Sequence, residues 1–217
     1  SKGEMSFLLN KVSIIYTPST VSINSIISEY CIDKKKIHLS VGAADSNGFF
    51  PHERVSGTIG IVSRFSERKN PELILKIVKQ MPDVDFLLIG TRWEKSSIFL
   101  QLMNCDNFKY IDPDYSDYHS LYSGIDVYLS TSFLEGGPIP LIETMMSNIV
   151  PVVSDTGFAR DVIIEGDNGF IFNVDDDIKI IIKKLRSALN FNKDVSLSVK
   201  NFTWNSFVEK ILQTINR

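Results

Sequence analysis

Residues 132–143, Ser-Phe-Leu-Glu-Gly-Gly-Pro-Ile-Pro-Leu-Ile-Glu, place two carboxylates, Glu135 and Glu143, eight positions apart around a glycine pair and two prolines. A strand-like run from Asp126 to Ser130 precedes them, and an apolar helical pattern follows. Strand, glycine loop and helix N-terminus together make a place where phosphates and sugars bind, because backbone N–H groups lie bare there and the helix dipole is positive. Pro138 and Pro140 lack an N–H, which costs little in a first turn whose N–H groups have no internal partner, so the helix is expected to start near Gly137–Pro138. Glu135 then sits in the loop and Glu143 lies about 7–8 Å along the axis, at about 1.5 Å per residue. Such carboxylates do not pair as acid and base; they reach two parts of one extended ligand. Gly136 and Gly137 admit close backbone approach and positive φ. The plainer alternative is a surface loop with acidic residues near a helix start.

Arg64 and Lys69, in Ser-Arg-Phe-Ser-Glu-Arg-Lys-Asn, directly follow the strand-like run Thr58–Ser63. They are therefore expected at its carboxyl end, the edge at which open α/β sheets bind ligands. A planar guanidinium fork and a mobile ammonium together suit a diphosphate. A solvated charged turn is the alternative for these residues taken alone.

The surrounding elements alternate. Strands are expected over Lys11–Tyr16, Lys36–Leu39, Thr58–Ser63, Val84–Ile89, Phe108–Ile111, Ile125–Ser130, Val150–Ser154 and Gly169–Phe172. Helices are expected from Ser19 or Thr20 to Tyr30, from an Asn70 cap and Pro71 to Gln80, weakly over Trp93–Met103, over Asp117–Ser123, from Pro138 to Ser147, and over Asp176–Asn190 and Trp204–Asn216. Alternation with near-continuous apolar strands implies a Rossmann-like α/β fold: a parallel sheet with helices on both faces. The Gly-, Asn-, Ser- and Pro-containing loop Val41–Ser56 is the expected domain boundary.

Composition narrows the classes. The 217 residues carry a net charge of −3 and are 43% hydrophobic, ordinary for a soluble globular chain and without the bulk basic charge of a nucleic-acid binder. The one basic run, Lys34-Lys35-Lys36 beside Asp33, reads as a solvated turn. Cys31 and Cys105 fit no metal spacing and read as free thiols of a reducing compartment. No apolar run approaches a membrane span, and no signal-peptide pattern opens the chain. Ser1-Lys2-Gly3-Glu4 reads as a cut, so a fragment is expected. His38, His52 and His119 share no ligand spacing, Asp175-Asp176-Asp177 reads as a helix start, and Tyr115, Tyr118 and Tyr122 read as a helix face or core rather than a sugar platform.

Arg64, Lys69, Glu135 and Glu143 together, with Gly60–Lys69, Ile125–Ser132, Met145–Gly157 and Gly166–Phe172 in order, resemble the donor-binding half of retaining nucleotide-sugar glycosyltransferases of the GT-B fold, glycosyltransferase family four. The resemblance spans roughly residues 12–217. It implies a tail of an N-terminal acceptor domain and linker over 1–55, a donor domain over 56–202, and a closing helix over 203–217. It implies that Arg64 and Lys69 hold the diphosphate and that Glu135 accepts sugar hydroxyls, these three forming the catalytic set. Gly136, Gly137, Pro138 and Ile139 would line the donor, Glu143 would accept the ribose hydroxyls, and Ile111 and Asp112 would border the base. The implied donor is a nucleoside diphosphate sugar, with neither cofactor nor metal. The implied acceptor is a glycan or a lipid-linked group held by the other domain, in bacterial surface polysaccharide synthesis. No nucleic-acid partner is implied, and the implied location is cytoplasmic, with peripheral association at the inner membrane face open for a full-length protein. The sequence departs from the family at Asp112-Pro113, where a glycine is common, at Ala159-Arg160-Asp161, where a proline often precedes the acid, and at Val41, where an Asn is common. A non-catalytic nucleotide-sugar module and a nucleotide-sugar epimerase on the same plan are the alternatives.

Overall fold

Apolar β-branched runs become strands wherever turn residues bound them, and the polar-spaced runs between them become helices. The computed structural model describes residues 1–54 and 57–216. In chain order the elements are α1 (Lys2–Lys11), β1 (Ile15–Thr17), α2 (Thr20–Tyr30), β2 (Ile37–Leu39), β3 (Ile59–Val62), α3 (Pro71–Gln80), β4 (Phe86–Ile89), α4 (Phe99–Met103), β5 (Phe108–Ile111), α5 (Tyr118–Tyr122), β6 (Val127–Ser130), α6 (Ile139–Met146), β7 (Val150–Ser154), α7 (Ala159–Val162), β8 (Phe170–Phe172), α8 (Ile178–Leu189) and α9 (Trp204–Ile215). β1 and β2 pair in parallel as a small separate sheet, while β3 to β8 form a six-stranded sheet in the order β5-β4-β3-β6-β7-β8. Every pairing in that sheet is parallel.

Both faces of the sheet are covered. Ile59, Ile61, Val150 and Val152 point to one side, where Leu73, Ile74, Ile77 and Val78 of α3 and Ile181 and Leu185 of α8 bury them. Val62 and Val153 point to the other, against Leu141, Ile142 and Met145 of α6 and Ala159 and Val162 of α7. The alternation follows from the two-residue period of a strand. This is the Rossmann-like α/β layout expected. No helix among the described residues is long and apolar enough to cross a membrane.

Three expectations change. The strand placed over Lys11–Tyr16 begins only at Ile15, because Lys2–Lys11 is helical. A capping box, with Ser1 accepting from the Glu4 N–H and Glu4 reaching back, satisfies the first donors of α1. The helix placed over Trp93–Met103 splits into a 3₁₀ turn, Trp93–Lys95, and α4. The break falls where Trp93 Nε1 donates to the Ser63 carbonyl at 2.8 Å and the Ser96 hydroxyl accepts from Ile98 N at 3.4 Å. The four-residue α7 was not expected at all. The boundary set between Val55 and Ser56 lies outside the described residues.

Candidate functional site

The strand order reverses between β3 and β6: the chain runs outward from β3 through β4 to β5, then returns to place β6 at the other side of β3. A crevice opens at the carboxyl ends of two such strands, where their loops diverge. Arg64 and Lys69 follow β3, and Glu135 follows β6, so the two loops face each other across this point.

The β3 loop carries the cations. Arg64 is exposed, and no ion pair among the described residues engages it. Lys69 closes a 3₁₀ turn, Glu67–Lys69, and Asn70 follows in the left-handed region at φ 54°, its side chain capping α3 by accepting from Leu73 N at 3.3 Å. That cap and Pro71 fix where the loop stops and the helix starts. Arg64, Lys69 and Arg68 line one cleft of about 390 Å³ with Val62, Ser63, Phe65, Ser66 and Pro140 from the start of α6.

Lys69 Nζ donates to Glu135 Oε1. Ser132 Oγ donates to the same oxygen at 2.6 Å, and Arg68 Nη1 donates to Oε2 at 2.7 Å. Burial pushes the Glu135 carboxyl up, but the bonds from Lys69, Ser132 and Arg68 outweigh it and hold the group below its ordinary value. The two loops are also tied through backbone: Phe133 N donates to the Arg68 carbonyl at 2.8 Å, and Arg68 Nη1 also donates to the Leu134 carbonyl at 2.7 Å. Glu135 N donates to Thr156 Oγ1 at 2.5 Å, which anchors the loop to the end of β7.

α6 begins where the prolines predict, with Pro138 at its N-cap and Pro140 in the first turn. Gly136 and Gly137 do not use the positive φ open to glycine. Their roles differ instead by packing. A Cβ at Gly137 would stand 2.9 Å from Phe158 Cε1 and 3.2 Å from Pro18 Cβ, whereas one at Gly136 would meet nothing within 4 Å. A left-handed glycine beside them is Gly157, at φ 61°, where a Cβ would press on Glu135 Cβ and Pro138 Cδ at 3.1 Å.

Glu143 does not meet Glu135; it is bound by tyrosines. Tyr115 Oη donates to Oε1 at 2.5 Å and Tyr122 Oη donates to Oε2 at 3.0 Å. Glu143 is only 2% exposed, and this burial raises its carboxyl above the ordinary value despite the two hydroxyls that oppose the shift. Tyr115, Tyr118 and Tyr122 form a row with ring centroids 5.2 and 6.3 Å apart. Ile111 and Asp112 stand at the end of β5, two strands from β3, where the Ile111 carbonyl accepts from Gly90 N at 3.0 Å. The Asp112 charge adds to burial in raising the Tyr118 hydroxyl.

Arg68, Ser132, Thr156, Tyr115 and Tyr122 were not among the expected site residues. The three- and four-residue spacing of the tyrosines was the one local signal, and it pointed to a helix face; nothing local tied the tyrosines to Glu143.

The family model for glycosyl transferases group 1 matches residues 51–213. Among curated proteins, the chain is 26% identical over 156 residues to the GtfA subunit of a UDP-N-acetylglucosamine–peptide N-acetylglucosaminyltransferase of Streptococcus pneumoniae, covering 67% of this chain and 31% of that protein. Thus the match spans about a third of that relative's length. Among solved structures, sucrose-phosphate synthase from Thermosynechococcus elongatus superposes with a TM-score of 0.82 at 17% identity, covering 99% of this chain and 60% of that one. Anabaena HepE in complex with UDP superposes with a TM-score of 0.82 at 15% identity, covering 99% of this chain and 67% of that one. At these identities the likeness to solved structures speaks for the fold.

Proposed function

The chain belongs to the glycosyl transferases group 1 family, and from that premise we propose that it is the donor-binding, C-terminal half of a retaining GT-B glycosyltransferase of family four, transferring a sugar from a nucleoside diphosphate sugar. In this reading residues 1–55 are the tail of an acceptor domain with its linker, 56–202 the donor domain and 203–217 the closing helix. The separateness of the β1–β2 sheet from the six-stranded sheet supports that division.

One observation carries the site: Lys69 and Glu135 meet where the strand order reverses, with exposed Arg64 in the same cleft. In the proposed reaction the bond between the anomeric carbon and the diphosphate oxygen breaks, an acceptor hydroxyl oxygen bonds to that carbon, and the hydroxyl's proton passes to the leaving diphosphate. Negative charge develops on the leaving diphosphate while positive charge spreads over the sugar. Arg64 and Lys69 offset the former electrostatically, in place of a metal. Backbone donors of Gly136, Gly137 and Ile139 face the donor, beside Pro138. Glu135 accepts sugar hydroxyls; each carboxylate oxygen has about two acceptor positions, and Oε2 spends one on Arg68. Glu143 accepts from the ribose, and Ile111 and Asp112 border the base. The acceptor, a glycan or lipid-linked group in surface polysaccharide assembly, belongs to the opposite half, so these 217 residues alone should bind donor without transferring it.

Calorimetric titration of UDP, GDP and ADP into the wild type and the R64A/K69A double variant tests this. The double variant should bind the accepted nucleotide at least tenfold more weakly, about 1.4 kcal/mol. Equal affinity would sink the diphosphate assignment, and failure of all three nucleotides to bind would sink the donor reading.

A further inference from the structure

Glu143 has two hydroxyl partners of opposite character. Tyr122 is fully buried, so its hydroxyl stays with the carboxylate as part of the core. Tyr115 is 65% exposed, yet its hydroxyl reaches in to Oε1 at 2.5 Å. A ring in solvent, attached to a buried carboxylate by its hydroxyl and to Tyr118 by one tilted ring contact at 5.2 Å, is the replaceable partner.

Burial of Glu143 restricts how a ligand can approach it. At 2% exposure the carboxylate offers an incoming hydroxyl almost no open surface. A ligand hydroxyl therefore reaches it only when a present partner leaves, and Tyr122 cannot leave without opening the core. We infer that the Tyr115 hydroxyl occupies the place of a ligand hydroxyl on Glu143 Oε1, so that Tyr115 sets the affinity and selectivity of the site for a vicinal diol by competing with it. The 3₁₀ turn Tyr115–Asp117 that carries this residue lies between β5, which ends at Ile111 just before Asp112, and α5. Displacement of Tyr115 thus moves the segment that borders the same end of the ligand.

The inference rests on the proposed donor reading, in which the diol is the ribose. Its test uses UDP, GDP and ADP, with the 2′,3′-dideoxy form of whichever binds, titrated into the wild type, Y115F and E143Q/Y115F. Y115F keeps the ring and removes only the competing hydroxyl. It should bind the ribonucleotide roughly three- to tenfold more tightly, the net scale of one ordinary hydrogen bond. The gain should vanish with the dideoxy nucleotide, and Y115F should add nothing in the E143Q background. Equal or weaker ribonucleotide binding by Y115F overturns the inference while leaving the donor reading standing, as does an equal gain for the dideoxy form. Absence of binding by all three nucleotides to every variant overturns both.

Discussion

Lys69 and Glu135 join the loops that leave β3 and β6, 66 residues apart in sequence, across the point where the strand order reverses. The pair is mostly buried, with 16% and 7% of the two side chains exposed. Breaking one side of such a pair leaves the other charge buried among its remaining partners. E135A should therefore cost more than K69A, because it leaves Lys69, Arg68 and Ser132 without their shared acceptor. We expect about 3–5 kcal/mol for E135A in urea unfolding, and a smaller loss for K69A, since Arg68 and Ser132 still hold the carboxylate. The reverse order would contradict the carboxylate's role as the shared acceptor, and negligible losses for both would mean that the loops are held by backbone contacts alone.

The two glutamates should make stability depend on pH in opposite directions. Glu135 is held below its ordinary value of 4.5, so its contribution is fully present above that pH and is lost as pH falls through the folded value. Glu143 is held above 4.5, so its contribution is fully present below that pH and is lost as pH rises through the folded value. Melting temperatures of wild type, E135Q and E143Q between about pH 3.5 and 7.5, a span that brackets the ordinary carboxyl value, separate them. The advantage of wild type over E135Q should shrink on acidification below about 4.5, whereas wild type should gain on E143Q as pH falls from neutrality towards it. Parallel curves for the three proteins would contradict both assignments.

Tyr122 and Tyr115 bind the same carboxylate but should differ in their structural contribution. Y122F leaves a fully buried carboxylate oxygen without its donor, costing about 1–3 kcal/mol. Y115F also removes a donor, from the other oxygen, but at an exposed ring where water can take its place, so it should cost less, about 0.5–1.5 kcal/mol. Urea denaturation of the two single variants measures the difference directly.

Local chemistry made the scaffold legible. Asn70 and Pro71 marked the start of α3, Pro138 and Pro140 marked α6, and uninterrupted runs such as Val150–Ser154 marked strands buried on both faces. α1 was not legible, because Met5, Phe7 and Leu8 remain 46–59% exposed and give the helix no buried stripe to reveal its period. The positions of Arg64, Lys69, Glu135 and Glu143 at strand and helix ends also followed from local pattern, but their partners did not. Arg68 meets Glu135 across 67 residues and Tyr115 meets Glu143 across 28. Such pairs are set by the order of strands in the sheet, which no local pattern carries. Gly136 and Gly137 show the same limit: adjacent and identical in sequence, they differ only in what the fold brings against them.

That difference gives a paired test. G136A places its Cβ in open space, so stability should change by no more than about 0.5 kcal/mol. G137A drives its Cβ against Phe158 and Pro18, at 2.9 and 3.2 Å. Overpacking of this kind costs about 1–3 kcal/mol. It should also weaken nucleotide binding, since the displaced loop carries Glu135. If both variants behave alike, the contact with Phe158 does not position the loop.

Asp161 links the first elements to the sheet domain. Its Oδ2 accepts from the Thr20 N–H at 2.9 Å, and Oδ1 accepts from the Thr20 hydroxyl. Ser19 already caps α2 from within, accepting from Ser22 N at 3.1 Å, so Asp161 satisfies a different donor of the first turn and adds negative charge where the helix dipole favours it. D161A should therefore cost about 0.5–2 kcal/mol, the range of a lost cap. The loss should fall on α2 and not on the six-stranded sheet, because both acceptor bonds of the Asp161 carboxylate run to Thr20. Hydrogen exchange distinguishes the two: amides of residues 20–30 should lose protection in D161A while those of β3, β6 and β7 keep it. D161N retains one acceptor and should fall between. Uniform loss of protection across the chain would show that Asp161 supports the whole fold rather than the docking of α2.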